Sequence, residues 1–153
     1  TVTAGGDISL AENVSIILDP VLSADGKYSG IIEVGTLGET IVFGDLVYFK
    51  TADSRWWKTD ADADATSGAV KLGIAVEGGA AAASKKILLL GKIRADSVFP
   101  TLAIGAPVYV STTAGALQTS APSGTDDVVR IIGYGNTADE LYFHPSNDYI
   151  TRT

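Results

Sequence analysis

The stretch FGDLVYFK, Phe43 to Lys50, returns in altered form as IGAPVYVS, Ile104 to Ser111. Both read apolar-Gly-x-x-Val-Tyr, and the second copy follows the first by roughly 60 residues, the spacing of a structural repeat rather than of a catalytic pair. A glycine inside an apolar strand pattern marks a bend or bulge, because it alone accepts the dihedrals needed there. Gly44 and Gly105 are therefore predicted to be structural corners. Tyr48 and Tyr109 lie beyond the bends, where each can bury its ring and keep its hydroxyl at a rim. The alternative, two tyrosines lining a ligand site, has no neighbouring polar residues to support it.

Working outward, the segments after each corner recur in the same order. TADSRWWKTD answers to TTAGALQTS, and the acidic loop DADADATSG to SAPSGTDD. AVKLGIAVE (69–77) answers to VVRIIGYGN (128–136), with Gly73 and Gly133 in matching places. KKILLLGKIRAD (85–96) is answered by ELYFHP (140–145). We expect an internal repeat covering 41–96 and 101–150. The two strand-turn-strand halves would form one all-β domain, a small β-barrel or a β-tulip-like sandwich. The run Ile87 to Leu90 shows no alternation, which predicts a strand covered on both faces.

Composition agrees with a single folded domain. The chain has 153 residues, 46% of them hydrophobic and 19% charged, enough to bury a core without metals or disulfides. Its 17 glycines punctuate short runs of Val, Ile, Tyr and Phe, the pattern of many strands joined by turns. Cysteine is absent, which removes disulfides, thiolate catalysis and cysteine-ligated zinc together. Methionine is absent too, so either the initiator is removed or the numbering begins after it, and removal of a prosegment ahead of Thr1 stays open. A net charge of −7 repels a phosphate backbone, and the cations Lys85, Lys86, Lys92 and Arg94 read as a solvated rim. We expect no nucleic-acid partner. No apolar run approaches the ~18 residues of a membrane span, and no membrane partner is expected.

Residues 1–39 read differently from 40–153. They are sparse in core residues, and we expect an extended N-terminal arm with short strands that lies across a neighbouring subunit or a partner. Val14 to Leu18 reads as one short strand stopped by Asp19-Pro20. Asp25-Gly26 reads as a turn leading into a second strand that ends near Val34. Trp56 and Trp57 are adjacent on a strand and so point to opposite faces, leaving at least one exposed unless something covers it. The predicted partner interface is Val14, Ile16, Ile17, Leu18, Trp56 and Trp57, since large aromatics anchor such contacts. A stacking site for a sugar or a base is the alternative for the tryptophans.

Residues able to carry chemistry are few. Asp60, Asp62 and Asp64 resemble the start of a calcium loop, but its sixth and twelfth positions hold Ala65 and Lys71 in place of Gly and Glu. A solvated acidic loop and a weak surface cation site both remain open. His144 is the only histidine, and Ser146 and Asp148 sit too close in sequence to complete a triad with it. VGTLGET and IGYGNTAD lack the Lys-Ser/Thr of a phosphate loop. We expect neither catalysis nor a cofactor.

Taken together, GDLVYFKTADSRWWKTDADADATSGAVKLGIAVE, LLLGKIRAD, IGAPVYVSTTAGALQTSAPSGTDDVVRIIGYG and LYFHPSNDYI resemble a domain of tailed-bacteriophage virion proteins. Head decoration (cement) proteins, head fibres and parts of tail fibres carry it. The resemblance covers roughly residues 40–150, and its motifs are structural rather than catalytic. It implies an all-β fold and a homotrimer seated on the shell at a local three-fold. It also implies an N-terminal arm that adds a strand to the capsid lattice. The expected function is capsid decoration on the outer surface of the head, with the major capsid protein as partner. This short chain carries no shaft or receptor-binding segment, which sets the alternative, a head- or tail-fibre module binding host-surface glycans, in second place.

Overall fold

The computed structural model describes Gly5 and residues 9–153. In chain order the strands are β1 (Tyr28–Thr36), β2 (Leu46–Lys50), β3 (Arg55–Lys58), β4 (Leu72–Ala75), β5 (Ser84–Arg94) and β6 (Pro107–Val110). They continue with β7 (Leu117–Gln118), β8 (Val128–Val129), β9 (Ile131–Gly135), β10 (Glu140–Phe143) and β11 (Ile150–Thr151). One helical turn, α1 (Asp64–Ser67), interrupts the described strands. The protein is all-β, and its main sheet is antiparallel and curls into a half-barrel.

The sheet runs β3-β2-β4-β5-β10-β9-β6-β7, so the same sequence of neighbours leads outward from β5 and from β10. Leu46 faces Ile74 and Val47 faces Gly73 across β2 and β4; Pro107 faces Tyr134 and Val108 faces Gly133 across β6 and β9. The corner hydrogen bonds repeat as well. Gly44 N–H donates to the Ala75 carbonyl at 2.8 Å, and Gly105 N–H donates to the Gly135 carbonyl at 2.8 Å. In return Ala75 N–H donates to Asp45, and Gly135 N–H to Ala106. Gly44 and Gly105 have φ of 88° and 74°, a left-handed backbone that a side chain makes costly. Each lies in the turn that launches its strand. The predicted bend within a continuous strand is thus a turn ahead of one.

β5 organises the molecule. β1 pairs along it from Ser84 to Ile93, occupying one edge. The other edge is shared, β4 taking Ile87 and Leu88, and β10 taking Gly91 to Arg94. The two halves diverge from that edge and enclose a common core of Leu46, Leu72, Ile74, Leu88, Val108, Ile132, Leu141 and Phe143 among others. A second, smaller cluster on the opposite face joins Leu37, Ile41, Val47, Trp56, Ala75 and Ile87. Ile87 belongs to one cluster and Leu88 to the other, so the unalternating run is covered on both faces there. At the far end the halves meet again, through Leu46 N–H to Gly115 O (2.7 Å) and Val128 N–H to Ala61 O (2.8 Å).

The expected division at 39/40 does not match the packing. β1 is a full member of the sheet, and Leu37 is buried in the second cluster. The arm proper ends near Leu18, because the chain is fastened from Asp19 onward. Asp19 N–H donates to Ser29 Oγ, Lys92 Nζ to Pro20 O, Leu22 N–H to the Glu140 carboxylate, and Arg94 to Leu22 O. Upstream, Val14 to Leu18 is irregular and not a strand: a ladder needs a second strand beside it, and no described strand pairs with this segment. Residues 1–4 and 6–8 of the expected arm lie outside the described residues.

Candidate functional site

Aliphatic side chains on the arm face solvent, uncovered by any of the described residues. Ile16 is 79% exposed and Ile17 84%, and Leu10, Val14 and Val21 are exposed beside them, with Leu18 half-buried. Burying an aliphatic side chain of this size stabilises by about 1.5–3 kcal/mol, and a row of them held in water leaves that stabilisation unrealised. The arm leaves the domain at Asp19, against Ser29 of β1. Along its outer edge β1 has no strand partner among the described residues, and it also presents Ile31 and Val34 to solvent. An open edge of nine residues offers unpaired backbone groups in register for strand addition. The arm and this edge together are the candidate interaction surface.

The two tryptophans separate as alternation requires, but not to the predicted role. Trp56 is fully buried in the second cluster, edge-on to Phe49 at 5.4 Å, with the Lys71 ammonium 5.4 Å from its ring. It cannot anchor a partner. What covers it is the segment after β1: Leu37 shares its cluster, and Gly35 lies so close that a Cβ there would come within 2.3 Å of the indole nitrogen. Trp57 is half-buried, donates its indole N–H to Asp53 at 3.1 Å, and carries the Lys50 ammonium 4.6 Å above its ring. Of the pair, it alone retains an accessible ring. Tyr48 is buried in the main core, and burial, then the Asp53 and Glu39 carboxylates, raise its hydroxyl pKa. Tyr109 is half-buried on β6 opposite Gln118.

The acidic loop is tied to itself. Asp62 N–H donates to Asp60 Oδ1 at 3.0 Å, and Thr66 Oγ1 bonds both the amide and the carbonyl of Asp60. Asp62 is exposed; desolvation by its neighbours, then the Asp60 and Asp127 carboxylates, raise its pKa above the ordinary value. Among the described residues no group of three or more His, Cys, Asp or Glu side chains converges as a metal site would. Of the cations on the Lys85 to Arg94 strand, Lys86 pairs with Glu77 at 3.1 Å, Lys92 donates to Pro20 O, and Arg94 pairs with Asp96 at 2.7 Å. His144 is exposed and stacks on Tyr142, with ring centroids 6.0 Å apart.

Of the buried charged residues, Glu140 and Arg130 are the most enclosed, and the sequence reading missed both. Glu140 is almost wholly enclosed and accepts from Leu22 N–H at 2.8 Å and from Asn136 Nδ2. Arg130 is 5% exposed between β8 and β9. The signal for Arg130 is present in VVRII, a lone cation set in an aliphatic run. No model of a known protein family matches this chain, and no curated protein matches it.

Proposed function

We propose that the protein decorates the outer surface of a tailed-phage head, acting as a cement protein on the major capsid protein, and that it does so as a homotrimer. The observation that carries this reading is the exposed aliphatic arm emerging beside an unpaired strand edge. The sequence resemblance to virion decoration domains supports it independently. The mechanism is burial of surface rather than bond making. The arm pairs with an open edge of the shell, its isoleucines leave water, and the sum is multiplied across the trimer. Removing residues 1–18 tests it: that cut stops short of the fastenings at Asp19 and Leu22. The truncated protein keeps its thermal transition yet no longer sediments with undecorated heads; undiminished co-sedimentation refutes the arm.

Trp57 favours one other reading, a head- or tail-fibre module that stacks host-surface glycans on this ring beside Lys50 and Asp53. With Trp56 buried, such a site has one aromatic platform, not two. Few copies per virion, found at the tail, together with glycan binding lost in Trp57→Ala, would favour the fibre over the cement.

A further inference from the structure

Arg130 is a buried cation without an anion. Its Nε donates to Ser146 O at 2.8 Å, and its Nη1 donates to three carbonyls: Ser67 at 3.1 Å, Val70 at 2.9 Å, and Gly68. Every one of those acceptors is neutral, and no carboxylate of the described residues lies within ion-pair distance of the guanidinium. Its Nη2 has no hydrogen-bond partner among the described residues, and it is not sealed away from solvent either. Burial lowers the Arg130 pKa, with Tyr149 acting in the other direction. A charge in that position is expensive unless something of opposite sign approaches it.

The space for such a group exists. Arg130 lines an open cavity of about 470 Å³, with Lys71 and Asn147 as its other polar side chains. Val70, Leu72, Leu89 and Pro145 supply apolar wall. Lys71 also lines the cavity, its ammonium paired with Glu33, so removing it leaves the Glu33 carboxylate uncompensated nearby. The two cations come from corresponding places in the repeat, in VKLG and VRIIG, and the fold turns both into one hollow.

We infer that this hollow is a carboxylate-binding site, which takes an anionic head against Arg130 and a short aliphatic stem against Val70, Leu72 and Leu89. A carboxylate suits it better than a phosphate. A planar monoanion matches the edge of a guanidinium, whereas a dianion would meet an overall charge of −7 and a half-apolar wall. The site is independent of where the protein sits in a particle.

The probes are N-acetyl-glutamate N-methylamide, its glutamine counterpart, free butanoate and inorganic phosphate, each titrated into isotope-labelled protein. The expected result is a saturable shift of the Arg130 Nε signal and the Leu89 methyls with both carboxylates, with a Kd of about 1 mM or tighter for the better one. The glutamine counterpart is silent. Butanoate matching the blocked glutamate marks a site for free small acids; a preference for the blocked glutamate marks an acidic side chain of a protein. Arg130→Met would also lose the four carbonyl contacts, so Lys71→Gln is the working variant. It weakens the carboxylate several-fold while the unligated spectrum stays that of the folded protein. Equal shifts from the glutamine counterpart, phosphate binding more tightly than carboxylate, or no saturable shift at Arg130 each overturn the assignment.

Discussion

Trp56 has its indole N–H buried and unpaired, while Trp57 points the other way and gives its N–H to Asp53. Trp56→Ala empties the second cluster and should cost about 3–5 kcal/mol in urea denaturation. Trp56→Phe removes the orphan donor as well as part of the ring, and should cost less than about 1.5 kcal/mol, because the lost packing and the relieved N–H oppose each other. Trp57→Ala should leave stability far closer to wild type than Trp56→Ala does. Asp62 gives a pH-dependent case. Its pKa is raised in the folded state, so the fold favours its protonated form. The contribution is present at low pH and is lost as pH rises through the raised value, leaving an ionised Asp62 unfavourable at neutrality. Asp62→Asn should therefore raise the Tm at pH 7, and the gap over wild type should close as the solution is acidified towards the ordinary carboxylate value of 3.8.

The paired turns before β2 and β6 share a backbone but not their surroundings. A Cβ on Gly105 meets nothing within 4 Å, so Gly105→Ala should cost only the left-handed conformation, about 1–2 kcal/mol. A Cβ on Gly44 would also come 3.0 Å from Val98 Cγ1, and Gly44→Ala should lower the Tm further than its counterpart. Equal losses would mean that the turn, not the packing, sets both. These turns were legible in the sequence because their cause is local: a glycine, an apolar neighbour and a Val-Tyr strand suffice. β1 was not assigned to the domain, since YSGIIEVGT is sparse by itself and owes its place to β5, far along the chain. The burial of Trp56 has the same origin, because Gly35 and Leu37, which cover it, lie within residues 1–39. The strand expected at Val14 to Leu18 had the right composition and no ladder to join. Arg130 was hidden for another reason: its acceptors are backbone carbonyls, which no pattern of residue types records.

Although the two halves repeat, neither owns a core. Leu46, Leu72 and Ile74 from one pack with Val108, Ile132, Leu141 and Phe143 from the other, and β10 borrows its edge from β5. A fragment ending at Asp96 should thus be unfolded by circular dichroism, and mixing it with the remainder should restore the β signal. A cooperative transition in the isolated fragment would show that each half is a domain in its own right. The fastenings after Leu18 have a mechanical consequence. Lys92, Arg94 and Glu140 hold the base of the arm, and two of them stand on β5 while the third stands on β10, its direct neighbour. A pull on the arm is therefore delivered to the seam from which both halves spring, and neither half can be peeled away alone. The tether ends at the keystone.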